Sequence, residues 1–346
     1  MADDEEPENK RMKKSQLENI TLDDLPTEIL LKIFDSFKIN DLLRCGQVSN
    51  RIRSMAHHET FWQKVNLQNR DRISAGLIQF ILENGCKYLS IGTCQVEGHL
   101  IPTQTFQLNY LEAWDVSPVK TLEEILAACN LLEKLDLRYV RLSNSMISSI
   151  NQNGKTLKQL NLTNSYPYKL STNCNQDQFF QQNDSTKQNQ FFQQFIGNCD
   201  VLTELNLEEV YCTNDSIDFL VNNLTVNIQK LNLGGINIKD HQFKILVTRC
   251  NKLKELNLKH TKITNESVNH ILAYLQSTLE KLSFCGRMYS MFKMFELKSM
   301  KRLKLLELRG YNKSFINIVK KKLPNIEIVQ NSKNVIASDN PSDFRN

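Results

Sequence analysis

The sequence lacks the features that mark secreted, membrane-spanning and metal-dependent proteins. Its 346 residues contain no C-x-x-C pair, no H-E-x-x-H motif and no apolar run near the ~18 residues that cross a bilayer. The opening MADDEEPENKRMKK has no apolar segment of the kind that a secretory signal requires. We therefore expect a protein of the cytoplasm or nucleus with no disulfide framework, no metal site, no cofactor and no membrane contact.

Catalytic motifs are also missing. The nearest approach to a phosphate-binding loop, Gly154-Lys155-Thr156, lacks the first glycine and precedes an expected strand instead of following one. The six histidines show no metal-binding spacing. We predict that the chain is not an enzyme.

A repeat dominates the chain from residue 68 to residue 328. Apolar residues recur at p, p+3 and p+5 of a unit about 25 residues long, where p is the first apolar residue of the unit. Clear units begin at Leu108, Leu132, Leu157, Leu202, Ile228, Leu253, Leu279 and Leu303. Weaker copies begin at Cys86 and Leu323, which gives about ten units.

Each unit contains a short strand followed by an apolar run at helical spacing. The p+3 and p+5 side chains point inward, whereas p+2, p+4 and p+6 face out along the strand. Thr264 or Asn265 is placed to cap one of the helices. Because one unit cannot bury its own apolar face, the units must stack. The pattern predicts an α/β repeat fold, a leucine-rich-repeat horseshoe with parallel strands inside and helices outside.

Two features distinguish this array. A C-x-x-L entry at Cys129, Cys199 and Cys250 resembles the cysteine-containing subclass of these repeats, with the cysteines as packed thiols. The starts of two successive units, Leu157 and Leu202, are 45 residues apart instead of about 25, and the longer unit holds an Asn/Gln-rich insert near 170–195. We interpret the insert as a disordered loop; a partner site and a degraded repeat are the alternatives.

A different segment, residues 20–67, precedes the repeats. Three helical stretches are expected, the first starting near Pro26. So short a segment offers little core for its large apolar side chains, so some of them should be bound by a partner. The segment contains Leu25-Pro26-x-Glu28-Ile29-Leu30-x-x-Ile33-Phe34, then Asp41-Leu42-Leu43-Arg44-Cys45 and Val48-Ser49-x-Arg51, and it resembles an F-box.

An F-box followed by such repeats resembles the F-box/leucine-rich-repeat family. In that family the F-box is a three-helix hook that inserts into the Skp adaptor of a cullin–RING ubiquitin ligase, and the repeats hold a target protein. The resemblance implies a substrate receptor of an SCF-type ligase, with cullin and RING subunits reached through the adaptor. A small Cks-type accessory subunit is a further candidate partner. The implied adaptor-binding residues are Leu25, Pro26, Ile29, Leu30, Phe34, Asp41, Leu42, Arg44 and Val48.

One position departs from the family pattern. Many members have an aromatic residue just after the arginine of the last motif, whereas this chain has Ile52. The departure is expected to weaken the adaptor contact or to change its packing.

Positive charge accumulates near the end of the array. Residues 279–328 hold twelve Lys and Arg against four Glu, although the whole chain is only +5. We predict an acidic or phosphorylated target that contacts Lys281, Lys304 and Arg309; a solvated basic face is the alternative. Nucleic-acid binding is not expected. A repeat scaffold that binds protein partners outside a ligase is the rival function. Residues 1–19 and 329–346 are predicted to be tails, the first charged and disordered.

Overall fold

The computed structural model describes residues 21–167, 196–285 and 290–330. The predicted N-terminal tail, the predicted Asn/Gln-rich insert and nearly all of the predicted C-terminal tail lie outside the described residues. Within these ranges, no helix is long and apolar enough to cross a membrane.

Three short helices open the described chain: α1 (Thr27–Asp35), α2 (Ile39–Cys45) and α3 (Asn50–Ala56). Pro26, whose ring fixes φ, stands immediately before α1. The Ser49 hydroxyl caps α3 by accepting a hydrogen bond from the Ile52 amide at 3.2 Å. The Trp62 indole donates to the Ala56 carbonyl at 3.0 Å, which ties the end of α3 to the chain that enters the repeats.

The described residues form fifteen strands, which are numbered in chain order. Eleven of them form one parallel sheet: β1 (Lys64–Asn66), β3 (Tyr88–Ser90), β5 (Tyr110–Glu112), β6 (Lys134–Asp136), β8 (Gln159–Asn161), β10 (Glu204–Asn206), β11 (Lys230–Asn232), β12 (Glu255–Asn257), β13 (Lys281–Cys285), β14 (Leu305–Arg309) and β15 (Glu327–Val329). Two outer pairs complete the set: β2 (Ile73–Ser74) with β4 (Val96–Glu97), and β7 (Arg141–Leu142) with β9 (Tyr166–Pro167).

Helices connect the later strands. They are α4 (Ala75–Glu83), α5 (Val119–Ala127), α6 (Asn144–Gln152), α7 (Asn214–Asn223), α8 (Asp240–Arg249), α9 (Asn265–Tyr274), α10 (Met291–Glu296) and α11 (Lys313–Lys322). Short 3-10 turns lie at Leu22–Asp24, Glu59–Phe61, Ile196–Asn198 and Leu297–Ser299. As predicted at α9, the Thr264 hydroxyl caps the helix, accepting from the Glu266 amide at 3.3 Å.

The predicted horseshoe architecture is confirmed, because the p+3 and p+5 side chains of the strands are buried between sheet and helices. The core is continuous from Leu30 in α1 to Ile328 in β15. The F-box and the repeats therefore share one apolar interior.

The two ends of the array differ from the expected pattern. The first strand, β1, comes from residues expected to close the F-box, since Val65 aligns with Leu89 of β3. At the other end Ile328 aligns with Leu306, which puts Ile328 at p+3. The last unit therefore starts two residues later than the predicted Leu323. In mid-array β8 pairs directly with β10, so the sheet continues across the long interval without an additional strand.

Candidate protein-binding surfaces

The F-box leaves large apolar side chains on its surface. Leu22, Ile29 and Val48 are 55%, 42% and 72% exposed, and Pro26 beside them is exposed too. Single exposed apolar residues are ordinary, but several on one small three-helix unit are typical of a protein interface. These side chains form the apolar surface of the F-box.

Three of the predicted adaptor-binding residues do not belong to this surface. Leu30 and Leu42 are 0% exposed and Phe34 is 2% exposed. The Phe34 ring stacks on Phe37 with centroids 5.3 Å apart and lies 6.4 Å from the Phe61 centroid. Because positions 30 and 34 lie one helical turn apart, they share the inner face of α1. Leu30, Phe34 and Leu42 therefore hold the three helices together, and their predicted contact with the adaptor stays a prediction.

The polar candidates lie at the surface. Asp41 and Arg44 form an ion pair with 3.4 Å between Oδ1 and Nη1. The Arg44 side chain is largely exposed and that of Asp41 is about half exposed, so the pair itself adds little stability. Leu25 is half-buried, and its carbonyl accepts a 2.6 Å hydrogen bond from Arg51 Nη2. Sequence reasoning missed this role of Arg51, which holds the entry to α1 against α3. Ile52, where the family often has an aromatic residue, is buried.

On the concave side of the horseshoe, the side chains at p+4 stabilise turns of the backbone. In six units an Asn or Asp at p+4 accepts a hydrogen bond from the amide at p+6, with distances between 2.9 and 3.2 Å. These residues are Asn66, Asp136, Asn161, Asn206, Asn232 and Asn257. Such Asx turns satisfy the amide just after each strand, so the oxygens involved are committed to the fold.

The p+2 side chains of neighbouring strands pair by charge. Glu204 Oε1 lies 3.0 Å from Lys230 Nζ, and Glu255 Oε1 lies 3.1 Å from Lys281 Nζ. Side chains at aligned positions of neighbouring strands are close enough to form such ion pairs. Lys281, a predicted target-binding residue, is therefore neutralised on the floor of the concave face.

A buried ionic cluster lies in the first half of the concave face. Arg138 binds Glu112 Oε1 at 3.0 Å and Asp136 Oδ1 at 2.9 Å, and its guanidinium lies 5.4 Å from the Trp114 ring centroid. Ser90 donates to Glu112 Oε2 at 2.9 Å. Burial raises the pKa of both carboxyl groups, and the Arg138 charge opposes that effect.

A second cluster of the same type lies near the other end. Lys259 Nζ is 2.8 Å from Glu307 Oε2, both side chains are at most 5% exposed, and Ser283 donates to the same oxygen at 3.1 Å. Here again a glutamate at p+4 is bound by a serine at p+4 of the preceding strand and by a cation at p+6. Lys259 was not predicted, although its p+6 position marks it as a concave side chain.

The three predicted target-binding cations do not converge. Lys304 precedes β14 and its Nζ is 2.7 Å from Glu280 Oε2, at the edge where the strands begin. Arg309 is exposed at the opposite end of β14. Since Lys281 aligns with Leu305, Lys281 and Arg309 are about 13 Å apart along the strand direction.

The cysteines that enter the strands are packed in the interior. Burial raises the pKa of the Cys129 thiol to about 12 and that of the Cys199 and Cys250 thiols to about 11. Such thiols stay protonated and unreactive. Across the described part of the chain, no three His, Cys, Asp or Glu side chains cluster in a way that could hold a metal ion.

Two family profiles agree with this architecture. A profile described as F-box-like matches residues 22–68, and one described as the SKP2 LRR domain matches residues 76–344. A chain in the crystal structure of the Rad7 and Elc1 complex in yeast is 13% identical; the alignment covers 93% of this chain and 96% of that one, with a TM-score of 0.46. Members of the F-box/leucine-rich-repeat family are generally non-catalytic substrate adaptors. Because the SKP2-type profile covers most of the sequence directly after the F-box, this chain belongs to the F-box/leucine-rich-repeat family, with repeats of the SKP2 type.

Proposed function

We propose that the chain is the substrate-recognition subunit of an SCF-type ubiquitin ligase. The observation that carries the proposal is the exposed apolar surface of the F-box, with Ile29 and Val48 outside and Phe34 inside. A helical hook that holds its own core and still exposes aliphatic side chains is suited to docking in a partner groove. The Skp adaptor is the occupant that the family implies.

The remaining predicted adaptor contacts belong to the same proposal. Leu25 is half-buried, whereas Pro26 and the Asp41–Arg44 pair lie at the surface of the same three-helix unit. Polar groups at the rim of an apolar contact orient the partner more than they add affinity.

The chain does no bond chemistry in this proposal. The adaptor links it to the cullin and RING subunits, and the target is ubiquitinated for proteasomal degradation in the cytoplasm or nucleus. The rate gain comes from the high local concentration of target lysines near the ubiquitin-conjugating enzyme. The repeats bind the target through their C-terminal units, where Lys281, Lys304 and Arg309 lie, and the target is acidic or phosphorylated. A Cks-type subunit is a candidate helper at this end.

The decisive experiment replaces the apolar surface with charge. The double variant Ile29→Asp/Val48→Asp should lose co-purification with the adaptor and cullin, while its melting temperature stays near that of the wild type. The matched control is Val226→Asp/Ile318→Asp, because these residues are 47% and 40% exposed on the repeats. The control should still co-purify with both subunits.

Two results would contradict the proposal. If the F-box variant still binds the adaptor, the apolar surface is not the docking site. If the wild-type chain binds protein partners but no cullin, the scaffold function is the correct one.

A further inference from the structure

The last repeats carry more exposed positive charge than their concave face accounts for. On that face Lys230, Lys259 and Lys281 are each bound to a glutamate. Among the cations of residues 279–328, only Lys281 and Arg309 stand at p+2 or p+6 of a strand, so most of the charge excess lies elsewhere on the surface. The structure places most of it on one edge of the horseshoe.

This edge is where the helices end and the strands begin. Parallel strands start at the same edge of a sheet, and the segments before β14 and β15 both run there. The Lys304 amide donates to the Glu280 carbonyl at 2.8 Å, and the Glu327 amide donates to the Lys304 carbonyl at 2.8 Å, which places successive segments side by side. We define the basic edge by its exposed cations: Lys298, Lys301, Arg302, Lys320, Lys321 and Lys322.

Within the described ranges, none of these six side chains forms an ion pair. Lys304 beside them is neutralised by Glu280. The hydrogen bond and charge of Lys304 lower the pKa of Glu280, and Lys254 and Arg302 add to the effect. The field along this edge is therefore positive enough to act on a neighbouring carboxylate.

Helix stability explains only part of the arrangement. Lys320, Lys321 and Lys322 occupy the last turn of α11, where cations favour the helix dipole. Lys301 and Arg302 follow a 3-10 turn instead, immediately before a strand, where no such benefit applies. Two neighbouring connections have thus placed exposed cations on one edge.

We propose that the basic edge binds an Asp/Glu-rich segment of the target protein, an inference that rests on the proposed receptor function. Five of the six cations are lysines, spread over two neighbouring segments. Lysine is a point charge, and a single phosphate is held best by the paired donors of arginine, so a run of carboxylates fits this surface better than one phosphate does.

A nucleic acid fits the surface less well. Single-stranded nucleic acids are bound by aromatic side chains that stack on bases between the cations. Residues 298–304 and 320–327 contain no aromatic residue. The surface therefore has the positive charge that attracts a polyanion, but these segments lack the aromatic side chains on which bases would stack.

The test measures binding of a fluorescent peptide that contains eight glutamates separated by Gly and Ser. The edge variant is Lys301→Glu/Arg302→Glu/Lys321→Glu in the full chain. The control, Lys120→Glu/Lys244→Glu/Lys262→Glu, makes the same change of charge at exposed positions elsewhere. The edge variant should weaken binding about tenfold or more at low salt and reduce its salt dependence, whereas the control should stay within about twofold.

Three results would overturn the inference: no peptide binding by the wild-type chain, equal loss in both variants, or tighter binding of a singly phosphorylated peptide or an RNA octamer. Adaptor binding is measured on the same samples. If the wild-type chain does not bind the adaptor, the receptor function is contradicted. The expected result is that the edge variant still binds the adaptor but binds the glutamate peptide no better than a neutral peptide.

Discussion

The F-box and the concave face of the repeats differ in the kind of side chain that they expose and the kind that they bury. The F-box buries Phe34 and Leu42 and leaves Ile29 and Val48 exposed, so large apolar side chains lie on its surface. The repeats instead bury ion pairs such as Lys259–Glu307 on their concave floor. A short helical unit thus exposes apolar side chains for a partner, whereas the repeat floor satisfies its polar groups internally.

The difference has a physical cause. Three helices of seven to nine residues enclose too little volume to bury every large side chain that they carry. In a stacked array each strand has a neighbour on both sides, so polar side chains meet partners at fixed register. Charged side chains on the floor are therefore paired across neighbouring strands, whereas the cations that are available to a partner lie mainly on the basic edge.

The largest expected effect concerns the F-box core. Phe34→Ala should lower the free energy of unfolding by about 3–5 kcal/mol, because a ring packed against Phe37 and Phe61 leaves a cavity. Chemical denaturation of the full chain measures it, with the exposed Val48→Ala as the control. If Phe34→Ala were as stable as the wild type and only lost adaptor binding, the ring would belong to the interface after all, and the contrast between inner and outer faces of α1 would fail.

The next test concerns the repeat floor. Lys259→Met should cost about 3 kcal/mol, because it removes the cation bound to the buried Glu307 carboxylate. Lys262→Met, at an exposed position, should change stability by less than about 0.5 kcal/mol. Equal stabilities of the two variants in urea would mean that the floor does not depend on its ion pairs.

The pH dependence of stability sharpens the same comparison. Burial raises the pKa of Asp136 above the ordinary 3.8, so the folded state holds its proton to a higher pH than the unfolded state does. This contribution to stability is present below the ordinary pKa and is lost as pH rises through the raised one. Asp136→Asn should therefore flatten the fall in unfolding free energy over the pH range that begins at the ordinary pKa of 3.8 and ends above the raised one. An unchanged slope in denaturation curves across that window would contradict the raised pKa.

The smallest effect is expected at the long interval. Replacing residues 175–193 with a short Gly/Ser linker should shift the melting temperature by no more than about 2 °C, because closure entropy depends weakly on loop length. The direct pairing of Leu160 with Leu205 supports this expectation, since the sheet needs no strand from the insert. A large loss of stability would identify a hidden repeat, and loss of target binding alone would identify a recognition loop.

The sequence by itself determined the architecture of the protein. The p, p+3 and p+5 pattern predicted the strands and their buried faces, because a period that recurs about every 25 residues can be satisfied only by stacking. The motif that runs from Leu25 to Arg51 indicated the F-box from sequence alone, because its residues lie close together in the chain, at the spacing of short helices. The Asx turns at p+4 also had a local signal, an Asn or Asp at the same position of six units.

Only the tertiary structure decided which of these side chains are available to a partner. Leu30 and Ile29 are adjacent and equally apolar, but only the packing of α1 against its neighbours buries the first and exposes the second. Lys281 and Lys321 are equally cationic, and the difference is that strand register brings Glu255 to the first. Burial and pairing depend on contacts between residues distant in the chain, and no local pattern specifies them.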